Sequence, residues 1–139
     1  FLEGEEVPTE VPPSPDDLQC EQYFSNTVSR DMSGRYIVRL PFRGVNPPSL
    51  GSTRQLAYNR LLKLEARFSK DSDFERLYKE NLLDYIQQGH MVPAKTQSPY
   101  VMTHHGVVKT LDQGRRKIRV VFSPAERDVN GHSLNDKLL

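Results

Sequence analysis

An α+β fold is what this 139-residue sequence predicts, and three observations predict it. Apolar residues recur at helical spacing between residues 53 and 86. Two runs of alternating polarity flank a short polar turn between residues 100 and 122. The first thirteen residues have the composition of a chain that does not pack, with Pro8, Pro12 and Pro13 set among acids. The expected architecture is therefore a disordered acidic N-terminal arm, a helical hairpin and an antiparallel β-ribbon.

Ser14-Pro15-Asp16-Asp17 has the chemistry of a helix start. It offers a capping hydroxyl, a proline at the first helical position and acids at the positive end of the dipole. The helix should run to about Thr27, with a thin apolar face of Leu18, Tyr23 and Phe24. Ser29 to Gly34 reads as a polar turn. Arg35 to Leu40 reads as a strand with Tyr36, Val38 and Leu40 on one face, ended by Pro41. A loop follows from Gly44 to Gly51, with Pro47 and Pro48.

Thr53 to about Ser69 places Ala57, Leu61, Leu64 and Phe68 on one helical stripe. Asp71 or Ser72 then caps a second helix, in which Phe74, Leu77, Tyr78, Leu82, Tyr85 and Ile86 form a broad stripe. The short Lys70-Asp71 connection favours an antiparallel hairpin, and Gly89 is a fitting stop. Beyond Met91-Val92-Pro93 the ribbon begins. Ile118, Val120 and Phe122 alternate with Arg115, Lys117 and Arg119, and Arg116 is the one charge in the apolar phase. If a five-residue loop, Thr110 to Gly114, closes Lys109 against Arg115, odd-numbered residues of both strands share a face. Lys109, His105 and Thr103 then join the basic residues. After Phe122, Ser123-Pro124 breaks the strand, Asn130-Gly131 signals a turn, and Ser133 to Asp136 could start a helix. These readings divide the chain into a linker with a short helix and one strand (1–50), a helical hairpin (51–94) and the ribbon segment (95–139).

Charge is distributed unevenly. The formal net charge is +1, yet residues 1–17 hold six acids and no base. Between Lys109 and Arg119 stand five basic residues and one acid, Asp112. Like charges on one sheet face repel, and a polyanion would remove that repulsion. The plain alternative is an edge hairpin kept soluble by its charge. Hydrophobic residues make up 36% of the chain, and no apolar run reaches membrane-spanning length. Cys20 is the sole cysteine, so no internal disulfide is expected, and a reducing compartment is the simpler assumption.

No metal-ligand spacing joins the four histidines and Cys20, and on a strand His104 and His105 point to opposite faces. No nucleophile elbow and no phosphate-binding glycine loop is present. Residue chemistry alone therefore offers no catalytic centre.

HHGVVK, a polar turn, KIRVVF and GHSLND resemble the start of the reverse transcriptase domain of BEL/Pao-type LTR retrotransposons. The resemblance runs upstream through SRDMSGRYIVRLPFRG, LGSTRQLAYNRLLKLEARFSK and YIQQGHMVPA to FLEGEEVP. It covers essentially the whole chain, as the part of a Pol polyprotein between an aspartic protease and the polymerase fingers. It implies that residues 95–139 begin the fingers, that the palm with its metal-binding aspartates lies beyond Leu139, and that the protease aspartate lies before Phe1. It also implies that Lys109 and Arg119 hold the triphosphate of an incoming nucleotide. Arg115, Arg116 and Lys117 would lie near the fingertip and the template backbone. The implied partners are nucleic acid, deoxynucleoside triphosphate and the missing palm, with no membrane. The implied location is intracellular, in the cytoplasm or a virus-like particle. Mg2+ is expected for the parent polymerase and no cofactor for this segment, which alone should be inactive. Where the family has an aspartate after its VVF run, this chain has Ser123. The rival readings are a non-catalytic nucleic-acid-binding module and a protein-interaction module derived from the element.

Overall fold

The computed structural model describes Gly4, residues 9–44 and residues 46–139. The fold class is α+β, with three helices and two small antiparallel sheets among the described residues. The chain forms two compact units, Ser49–Asp136 and Phe1–Pro48 with Lys137–Leu139. Residues 1–3 and 5–8 of the acidic arm lie outside the described residues, whereas residues 9–13 are exposed and without regular structure.

In the N-terminal unit, α1 (Pro15–Thr27) begins as its sequence dictates. The Ser14 hydroxyl accepts from the Asp17 N–H at 3.1 Å, and the Asp17 carboxylate accepts from the Ser14 N–H at 3.0 Å. This reciprocal pair satisfies two donors that a helix start leaves open. The expected strand from 35 to 40 is reduced to β2 (Tyr36–Ile37), paired with β1 (Ser29–Arg30), a segment that reads as turn in the sequence. The cause is Asp31. Its carboxylate accepts from the N–H groups of Ser33 and Arg35 at 2.8 and 3.0 Å, and this tightens the turn until residues 29 and 30 pair. The alternation at Tyr36, Val38 and Leu40 buries nothing, since all three are exposed. The last residues join this unit through backbone bonds from Arg43 to Lys137 and from Leu139 to Pro41.

In the larger unit, α2 (Arg54–Lys70) and α3 (Ser72–Gln87) are separated by Asp71 alone. Asp71 is the N-cap of α3, accepting from the Phe74 N–H at 3.0 Å. Phe68 of α2 folds onto Phe74 and Tyr78, with ring centroids 5.8 and 5.3 Å apart. Gly89 takes φ +74 and closes the helix, as a residue without Cβ can.

The ribbon is β3 (Thr103–Thr110) and β4 (Arg116–Ser123), antiparallel. Its even-numbered face lies on α3. Phe74, Tyr78, Ile118 and Val120 form the buried core, and Leu64, Phe68, Leu77, Leu82 and Tyr85 pack around it. Asn81 and Tyr85 of α3 also take the backbone of β4. The Asn81 carbonyl accepts from the Val120 N–H at 2.8 Å, and the Tyr85 hydroxyl donates to the Val120 carbonyl at 2.8 Å. Residues 51–94 and 95–136 lie within the one compact unit. A two-stranded ribbon is marginal by itself, and α3 supplies its apolar cover.

Two polar features finish the packing. The Tyr78 hydroxyl lies 2.5 Å from His104 Nδ1. Burial pushes the Tyr78 phenol up to about 12, so the hydroxyl keeps its proton. Burial, and next the charge of His105, hold the His104 imidazole below its ordinary value. Asp128 is a clasp: its carboxylate accepts from the N–H groups of Gly51, Asn130 and His132 at 2.5, 2.8 and 2.9 Å. Gly106 sits where β3 crosses the core, and a Cβ there would lie 3.1 Å from Ile118 and 3.2 Å from the Tyr78 ring. Gly106→Val should therefore cost about 1–3 kcal/mol through overpacking, read as a lower urea midpoint at unchanged slope. An unchanged midpoint would mean that β3 does not press on Tyr78.

Candidate phosphate-binding face of the ribbon

The turn fixes which residues share a face. Leu111 N–H donates to the Arg115 carbonyl at 2.6 Å, and Asp112–Gly114 forms one 3-10 turn. Gln113 at φ 62 and Gly114 at φ 72 both occupy the left-handed region that lets the chain reverse in so few residues. Five residues, Leu111 to Arg115, connect the strands, and Lys109 pairs with Lys117 instead of Arg115. A shift of two residues preserves the faces, because side chains alternate with period two. Lys109, Lys117 and Arg119 therefore share the odd-numbered side, as the alternation predicts.

The pairing brings the cations close. Lys109 is directly opposite Lys117, and Arg119 is opposite Val107, one diagonal step from Lys109. Such diagonal neighbours have Cα atoms roughly 7–8 Å apart, within reach of one anion for side chains as long as Lys and Arg. Lys109, Arg115, Lys117 and Arg119 are all exposed, and among the described residues none of them forms an ion pair. His105 is on the same face, opposite Val121. Thr103, expected there as well, is buried and donates to Glu126 at 3.2 Å. The face can offer several donors and several positive charges to one phosphate chain.

Arg116 stands apart from Arg115 and Lys117. As an even-numbered residue opposite Thr110 it turns toward α3, where its guanidinium binds Asp71 through two bonds of 2.7 and 2.8 Å. It also donates to Asp73 at 2.9 Å. The hydrogen bond from Arg116 holds the Asp71 carboxyl far below the usual carboxylate range, helped by the Phe74 N–H. The same two carboxylates raise the guanidinium. This side chain ties the turn end of the ribbon to the start of α3. Its signal in the sequence was its phase, the lone charge among apolar even positions, together with the acids at 71 and 73. The Asp128 clasp left no comparable local signal.

Among the described residues no three His, Cys, Asp or Glu side chains gather to hold a metal. The converging carboxylates Asp71 and Asp73 are occupied by Arg116. No helix among the described residues is long and apolar enough to cross a membrane.

The carboxylate shift has a definite sign. A folded-state pKa below the unfolded one contributes stability above about pH 4, lost as the pH falls toward the folded value. Arg116→Ala should lower the urea midpoint at pH 7, and its gap from the unaltered chain should narrow below about pH 4. A gap that stays constant down to pH 2 would remove the ion pairs from the explanation. No protein-family model matches the chain, and no curated protein and no solved structure shows a significant similarity to it.

Proposed function

We propose that the chain is a segment of a BEL/Pao-like retrotransposon Pol polyprotein whose ribbon grips phosphates. In this reading residues 95–139 begin the fingers of a reverse transcriptase, an RNA-directed DNA polymerase. Lys109 supplies a compact point charge and Arg119 a planar fork for the triphosphate of an incoming nucleotide. Arg115 and Lys117, beside the turn, meet the template backbone. Arg116 serves by holding the fingertip to α3. The parent polymerase would use Mg2+ held by aspartates of its palm, and this segment would contribute binding without catalysis.

The observation that carries the reading is the direct facing of Lys109 and Lys117 on an exposed surface, with Arg119 beside them. Opposed like charges destabilise a sheet by themselves, so folding gives no reason for the arrangement, and a bound polyanion does.

The test is a salt titration of the full chain with a labelled single-stranded oligonucleotide, and separately with a labelled deoxynucleoside triphosphate. Binding should weaken with salt by about 0.7 units of log–log slope per phosphate contacted on a single strand. Lys109→Ala with Arg119→Ala should weaken triphosphate binding at least tenfold and leave the fold intact by circular dichroism. A flat salt response, or equal affinity of the double variant, would refute the assignment.

A further inference from the structure

The apolar stripe of α2 has a second stripe beside it. Among its 17 residues α2 carries five basic side chains and one acid, Glu65. Four of the five, Arg60, Lys63, Arg67 and Lys70, follow each other at intervals of three, four and three residues. At 3.6 residues per turn they fall within an arc of roughly 80°, and the row is about 15 Å long. All four are exposed.

Neighbouring α3 shows what helix stability asks of such residues. There Arg76 pairs with Asp73 and Glu80, and Lys79 with Glu75, each three or four positions away. In α2 the corresponding neighbours are further cations, which repel. The negative end of the helix dipole accounts for Arg67 and Lys70 but not for Arg60 and Lys63 in the middle turns. Among the described residues Lys63 and Lys70 have no acidic partner, and Arg60 has only Glu126, at 3.7 Å. Arg67 makes a cation–π contact with Phe74, its guanidinium carbon 3.7 Å from the ring centroid. That contact holds the group in place, and among the described residues no hydrogen bond or ion pair engages its N–H groups.

We infer that α2 is a second phosphate-contact surface, on which Arg60, Lys63, Arg67 and Lys70 meet successive phosphates of one nucleic-acid backbone. The ligand class rests on the reading of the chain as a nucleic-acid binder, but the residues are different ones. A linear row of cations matches a linear polyanion. An arginine favours phosphate oxygens, which its planar fork can meet with two N–H bonds. The surface positions a strand and carries no base specificity.

The experiment uses the full chain with labelled oligouridylate and oligothymidylate over a range of salt, with poly-glutamate as competitor. Lys63→Glu with Lys70→Glu should lower the affinity about tenfold or more and reduce the log–log slope by about one to one and a half units, close to 0.7 per lost phosphate. Lys63→Gln with Lys70→Gln, which keeps helix-forming side chains, should move both quantities the same way and covers the case in which charge reversal unfolds the helix. Unchanged affinity and slope in the glutamine pair would overturn the inference while leaving the ribbon reading in place. Loss in the α2 variants alone, with Lys109→Ala and Arg119→Ala silent, would uphold it and sink the ribbon reading instead. Displacement by poly-glutamate as effective as by the oligonucleotide at equal charge would also overturn it.

Discussion

The seat of β4 on α3 is the constraint on which the larger unit depends. Ile118 and Val120 close over Phe74 and Tyr78, and the polar groups of the Val120 backbone are taken by Asn81 and Tyr85. One helix thus covers both the apolar face of the ribbon and part of its outer edge. Side chains on a strand alternate, so burying the even positions turns every odd one outward. A slip of one residue would drive Lys117 and Arg119 into the core and expose Ile118 and Val120. The cationic face is held in place by the hydrophobic one.

Charges in this unit have two roles. Those that hold the fold are paired: Arg116 with Asp71 and Asp73, Arg76 and Lys79 with acids on their own helix. Arg116 joins the cap of α3 to the turn of the ribbon, so the helix start and the strand reversal are set by the same carboxylate. Those left over lie on the odd face of the ribbon and along the flank of α2. The near-neutral total conceals this division, because acids of the N-terminal segment balance the unpaired bases.

What the sequence made legible was local. Ser14, Asp71 and Gly89 mark helix boundaries through bonds and backbone angles made within four residues, and the apolar stripes name Phe74 and Tyr78 as core. The period of two named the faces of the ribbon even though its register was off by two, since an even shift conserves parity. What it hid was long-range or concealed by a stronger pattern. Asp128 meets Gly51 across 77 residues. β1 depends on how Asp31 folds its turn, and Gln113 entered the left-handed region without being a residue that favours it. The ribbon's cover could not be read, because alternation states that a face is buried and not against what. The cationic row of α2 was overshadowed by the apolar stripe on the same helix.

Two accounts of the ribbon's charge make different demands on its edges. If lysine and arginine served only to discourage strand pairing, they would belong on the strand whose edge is open. β4 is the strand whose edge α3 engages, at Val120. Yet Lys117 and Arg119 lie on β4 and Arg115 immediately precedes it, while β3 contributes Lys109 alone. Protection against pairing would place the cations the other way round. The cations gather on the covered strand, and Lys117 faces Lys109 across the pair, an arrangement that the defence of an open edge does not require.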